Sequence, residues 1–208
     1  MKKKILDYSK VNRILPLILL LLTSGLLTAQ NEKISKTDSI VNKLLKKGSQ
    51  GINENPDKAF KYINEALQYK DAISPKQQVK LYEVTAAAYS FKQSYLLALD
   101  YYYKSLMLIK KVDTLRLHYV YNNIGCTYMQ LGDSAKARKF LYKSLSELKK
   151  VIAKDKLEEK NVEAYLVYSN LAVLETKKKN YRTALEMFHI RRKHSIRLKG
   201  PFGIVSSY

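Results

Sequence analysis

Tyr121 to Ser144, YNNIGCTYMQLGDSAKARKFLYKS, constrains the fold more than any other stretch of the chain. In its first half Tyr121, Ile124, Gly125 and Tyr128 recur at three- and four-residue steps, so they share one face of a helix. After a tight turn at Gly132-Asp133, Ala137, Leu141 and Ser144 do the same. Small residues on facing sides let two antiparallel helices come close, while the tyrosines fill the space around the contact. The pattern recurs. Upstream, Tyr82, Thr85, Ala86 and Tyr89 match the first helix, and Ala98, Tyr102 and Ser105 the second. Downstream, Tyr168, Leu171 and Ala172 match the first, and Ala184 and Phe188 the second; there Glu175 replaces a tyrosine and Arg191 a small residue. Asn55 to Phe60, followed by Ile63 and Ala66, gives a fourth and earlier second helix. Its partner, around Ser39 to Lys47, lacks the small and aromatic residues of the other copies. The anchoring alanines Ala59, Ala98, Ala137 and Ala184 are spaced 39, 39 and 47 residues apart.

This spacing of large, apolar, small and Tyr, then Gly, then Ala, large and small, resembles the tetratricopeptide repeat. Tyr121 stands where that family usually has Trp, and the Pro that often closes the repeat is missing. The period exceeds the family's ~34 residues, so the helices or the turns between repeats must be longer. The resemblance covers about Thr37 to Lys199 and is closest in the middle, as expected when an end repeat turns one face to water. It implies an all-α, right-handed α-solenoid of about four antiparallel helix pairs. In such proteins the first helices of the pairs line an inner groove that receives peptides.

Along the chain, 1–29 reads as a signal peptide: a basic start, an apolar run from Ile14 to Leu22, and Ala29 as the cleavage residue before Gln30. The alternative is an uncleaved anchor. Ile14 to Ala29 is 16 residues, short of the ~20 that span a bilayer as a helix. The expectation is therefore an exported protein, periplasmic or secreted, membrane-anchored only if uncleaved. Residues 30–36 read as a disordered lead-in, 37–199 as the repeat domain and 200–208 as a tail after the Gly200-Pro201 stop. Within the domain the first helix is expected from Asp38 to Lys47, with a loop from Gly48 to Pro56. Ser74-Pro75-Lys76-Gln77 is a helix start, with Ser as cap and Gln three residues on. Asp113 or Thr114 caps the helix of Tyr121, and Asp133 the next. The charged run Ala153 to Asn161 accounts for the longer last spacing, either by lengthening the helices on both sides or as a solvated loop.

The formal charge is +20. A balance this basic favours polyanions, whether nucleic acid, acidic protein or anionic lipid. The plainer reading is that lysines solvate the outer faces of helices that bury the other side. Lys46-Lys47, Lys110-Lys111 and Lys149-Lys150 fall near helix ends, several where the helix dipole favours a cation. Cys126 is the single cysteine, which excludes an internal disulfide and a thiolate metal cluster within one chain. It reads as a buried or inert thiol. His189 and His194 are five apart and do not share a helix face, so no metal site is expected. Catalytic and phosphate-binding signatures do not occur, and the expectation is a protein that is not an enzyme and needs no cofactor.

Binding is the reading the sequence supports. Between the packing positions of the first helices lie Tyr119, Asn122, Asn123, Met129 and Gln130, and then Leu166, Ser169, Asn170, Val173 and Lys177. Asn123 and Asn170 precede Ile124 and Leu171 in the same register of successive repeats. A carboxamide donates and accepts, so it can hold a peptide backbone without reading its sequence, as asparagines at this place do in peptide-binding members of the family. The alternative is that these asparagines face solvent or bond to a neighbouring helix. The expected partner is thus a protein or peptide, with Tyr119, Met129 and Leu166 supplying apolar contact and no small-molecule substrate. Two other readings stand beside it. One is the sensory module of a membrane regulator, here truncated or stand-alone; the other is a basic surface for nucleic acid or an anionic membrane.

Overall fold

The computed structural model describes residues 8–155 and 160–197, with side-chain surroundings for 23–152 and 163–193. The described residues are all α. Eight helices follow one another: α1 (Tyr8–Gly51), α2 (Pro56–Leu67), α3 (Pro75–Phe91), α4 (Tyr95–Val112), α5 (Leu117–Gln130), α6 (Ser134–Asp155), α7 (Lys160–Lys177) and α8 (Tyr181–Arg197). They pack as successive pairs, α1 with α2 through to α7 with α8, and each pair leans on the next through α3, α5 and α7.

The pairs close on the residues that the periodicity picks out. Ala98, Ile124, Ala137, Leu141, Leu171 and Ala172 are all wholly buried, and half-buried rings such as Tyr89 and Tyr128 each pack against two neighbouring buried clusters. Gly125 permits the closest approach. A Cβ there would lie 2.7 Å from Leu141 Cγ. The half-buried tyrosines and phenylalanines stack around these contacts: Tyr89 on Tyr101 at 5.6 Å, and Tyr128 on Phe140 at 5.7 Å. Since 89 to 128 and 101 to 140 are both the 39-residue step, one ring pair is a repeat of the other.

The turns inside the pairs are also copies. Gln93, Gly132 and Lys179 occupy equivalent places and all have positive φ, at 59°, 78° and 63°. In each, the next residue's N–H reaches back to the carbonyl five residues before it: Ser94 to Tyr89 at 2.9 Å, Asp133 to Tyr128 at 3.0 Å, Asn180 to Glu175 at 2.9 Å. This is the glycine-type helix stop, followed at once by a residue that starts the next helix. Asp133 does so with its side chain, accepting from the Lys136 N–H at 2.9 Å. Only the middle copy has the glycine that the geometry favours. Lys179→Gly is therefore expected to raise unfolding free energy by about 0.5–1 kcal/mol, because it removes Cβ crowding in a left-handed residue. A urea titration checks it, and an unchanged or lower midpoint would contradict it.

Three sequence expectations change at the first pair. Residues 30–36 lie within α1, which continues unbroken to Gly51. The Asp38–Lys47 helix is thus longer at both ends, and the following loop is short. Once Val41, Leu44 and Leu45 are packed, each further turn adds hydrogen bonds at little cost, here with Glu32 paired to Lys36 at 2.7 Å. The missing small residue is Gly48. A Cβ there would lie 2.8 Å from Ile63 Cγ1, much as Gly125 sits on Leu141. It is out of step because the span from Gly48 to Ala59 is one residue shorter than that from Gly125 to Ala137. At the other end of the chain, α6 runs on to Asp155 and α7 begins at Lys160, so the charged insertion lengthens the helices. Residues 156–159 lie outside the described residues, as does the expected tail 200–208.

Polar residues lock one pair to the next. Ser74 donates its N–H to Asp38 at 2.9 Å, and Arg116 pairs with Glu83 at 2.8 Å. His118 Nε2 lies 2.8 Å from Glu163, and within its own pair the His118 carbonyl accepts from Ser144 at 2.7 Å. Asp113 caps the 3-10 turn Thr114–Arg116 that leads into α5, accepting from the Leu115 N–H at 3.2 Å.

Candidate functional site

Two clefts lie side by side along α3 and α5 and share Ala87 and Phe91. The first, of about 380 Å³, lies between the end of α1, α3 and the start of α5. Its floor is apolar, from Ile52, Val84, Ala88 and Phe91, and Lys80, Arg116 and Tyr119 stand at its edge. Phe91 is 48% exposed and Tyr119 39%. The Arg116 guanidinium lies 5.6 Å from the Tyr119 ring centroid, so the edge of the cleft is held as a unit with Glu83. Burial pushes the Glu83 carboxyl above its ordinary range, against the opposing pull of Arg116.

The second cleft, of about 360 Å³, is polar. Ser90, Asn123, Thr127 and Gln130 supply hydroxyls and carboxamides, and Tyr95 and Tyr102 supply ring faces. Asn123 is half-buried, and its carboxamide has no hydrogen-bond partner among the described residues. Asn123 thus offers two donors and an acceptor at the cleft it lines. Cys126 lines the same cleft, and burial pushes its thiol up to about 11, which leaves it protonated and unreactive at neutral pH.

The structure sorts the residues expected to bind. Tyr119, Asn123 and Gln130 line the clefts. Asn122 does not: it is 8% exposed, and its Oδ1 accepts from Asn170 Nδ2 at 2.9 Å. Asn170 therefore joins α7 to α5 and does not continue a row with Asn123. The packing of α7 on α5 sets the Asn170 side chain against the preceding helix. Met129 is half-buried against the core formed by α6 and α7. Ser169 donates to the carbonyl of Tyr165 in its own helix at 2.6 Å. Leu166, Val173 and Lys177 are exposed on α7 but border neither cleft. Sequence reasoning missed Phe91, Tyr95 and Lys80. Phe91 ends a helix at a turn, and an apolar residue in that position was the available signal.

No protein-family model matches the chain, and no curated protein matches it. Among solved structures it is similar to BtubC (BKLC) from P. vanneervenii, with a TM-score of 0.59 and 15% identity, over 85% of this chain and 77% of that one. At that identity the likeness concerns the all-α fold alone.

Proposed function

We propose that the chain is a tetratricopeptide-type binding scaffold of the cell envelope that takes an extended peptide segment along the joined clefts of α3 and α5. The observation that supports this reading is the pairing of an apolar cleft with a polar one across Ala87 and Phe91. A peptide laid along them would bury an apolar side chain against Val84 and Phe91. Its backbone would then meet the Asn123 carboxamide, which satisfies an amide and a carbonyl together. The site contains no nucleophile with an activating base, and the scaffold reading asks for none.

A peptide library selected on the full chain tests the proposal. Binding of a selected peptide is expected to weaken about tenfold in Asn123→Ala and in Tyr119→Ala, the loss typical of a central contact. Asn170→Ala and Leu166→Ala lie off the clefts and should leave the affinity within about twofold. Equal binding by the Asn123→Ala and Tyr119→Ala chains would remove the site from these clefts.

A further inference from the structure

The outer faces of α4 and α6 carry lysines at matching places. Position by position along the 39-residue step, Lys104, Lys110 and Lys111 of α4 correspond to Lys143, Lys149 and Lys150 of α6, and all six are exposed. The two helices adjoin, with the Tyr103 ring 6.1 Å from Phe140 and its hydroxyl 3.1 Å from that of Tyr128. On the first pair the same places carry Glu65 and Asp71, and on α8 Glu186 stands where α6 has Lys139.

Some of these cations are held by acids: Lys104 by Asp100 at 2.6 Å, Lys136 by Asp133 at 3.0 Å, Lys150 by Glu147 at 2.8 Å. Among the described residues Lys110, Lys139, Lys143 and Lys149 have no such carboxylate. Lys143 instead lies over the rings of Phe140 and Tyr121, at 5.6 and 5.7 Å. The same face of α4 also exposes large apolar side chains between its lysines. Leu96 is 74% exposed, Met107 71% and Leu97 49%. By helical rotation these three and Lys104 and Lys111 fall within about one third of the circumference of α4.

We propose that this outer face of α4 and α6 rests on a bilayer rich in anionic phospholipid, opposite to the clefts that take the peptide. The lysines meet headgroup phosphates, and Leu96, Leu97 and Met107 enter the headgroup boundary. The exposed apolar residues decide between polyanions, because a nucleic acid backbone offers nothing for them to enter whereas a lipid layer does. The apolar run from Ile14 to Leu22 would bring the same chain to a membrane.

The test is co-sedimentation of the full chain with vesicles of neutral phosphatidylcholine and with vesicles containing phosphatidylglycerol. The neutral vesicles report any binding by the N-terminal apolar run. The excess on anionic vesicles reports the patch. Reversal of Lys110, Lys139 and Lys143 to Glu is expected to lower that excess at least about a hundredfold at low salt and to leave the neutral binding unchanged. Leu96→Ser with Met107→Ser should lower it severalfold with no change in the salt dependence. All these side chains are exposed, so circular dichroism should show the wild-type helicity. Equal partition of the reversed and wild-type chains into anionic vesicles would overturn the proposal. Tighter binding to a single-stranded oligonucleotide than to the anionic vesicles would overturn it in favour of nucleic acid.

Discussion

A chain carrying Gly125→Val is expected to lose about 3 kcal/mol of unfolding free energy, the upper part of the range for overpacking a core contact. The Cβ would lie 2.7 Å from Leu141 Cγ, 2.9 Å from its Cδ2 and 3.1 Å from its backbone nitrogen. A clash with the free end of a side chain could be relieved by a change of rotamer. This one involves the branch point and the main chain of a wholly buried leucine, so α5 and α6 must separate. Separation opens the cores on both sides, because α5 belongs to the cluster shared with α4 and α6 to that shared with α7. Gly125→Ala should cost less, about 1–2 kcal/mol, since the gain in helix propensity of ~1 kcal/mol opposes the clash. A urea titration reads both as a lower midpoint at unchanged slope. A loss below about 0.5 kcal/mol for the valine variant would mean that the pair is not held by this close approach.

Arg138→Met is expected to be the second large effect and to reverse the dependence of stability on pH. Glu175 is 0% exposed, and its carboxylate accepts from Arg138 Nε at 2.9 Å and from Asn180 Nδ2 at 2.7 Å. Burial pushes this carboxyl up, yet Asn180 and Arg138 together hold it below its ordinary value. A carboxylate with a depressed pKa stabilises the fold above the unfolded value of about 4.3, and that stability is lost as pH falls through the folded one. Without the guanidinium a buried charge keeps one neutral partner. The expected cost at pH 7 is about 2–3 kcal/mol, below the 3–5 kcal/mol typical of breaking a buried pair, because Arg138 itself is half exposed. In the variant burial is opposed by Asn180 and Lys178 alone, so the carboxyl is expected to titrate higher and stability to rise as pH is lowered from 7 towards 5. The wild-type contribution from this group is flat over that interval. Thermal unfolding across pH 4–7 separates the two, and parallel curves would show that Glu175 does not depend on Arg138.

Much of this architecture was legible in the residues. The helix pairs follow from apolar periodicity. A buried position must recur every three or four residues, and tertiary context cannot move it without exposing the whole face. Ser74 and Asp133 mark helix starts for an equally local reason, since a cap bonds a backbone N–H only three residues away. The turns were legible at Gly132 but not at Gln93 or Lys179, whose left-handed backbone is imposed by the repeat and not by the residue. Gly48 was out of register because it stands one residue closer to its anchoring alanine than Gly125 does.

The site was only partly legible. Tyr119, Asn123 and Gln130 could be placed between packing positions, and the clefts contain them. The fate of Asn170 could not be read, because register along a helix fixes the face but not what the next pair sets against that face. Across α7 and α5 Asn170 donates to Asn122, which makes it part of a structural bond. Glu175 shows the same limit from the other side: an acid at a tyrosine's place looked like a departure from the pattern, and its partner on α6 lies 37 residues away. By itself the sequence determined which faces are buried and where helices start, because burial and capping act over one or two turns. Only the tertiary structure decided which polar residues are spent on joining the pairs and which are left open to a ligand, because that depends on distances between helices that no local pattern encodes.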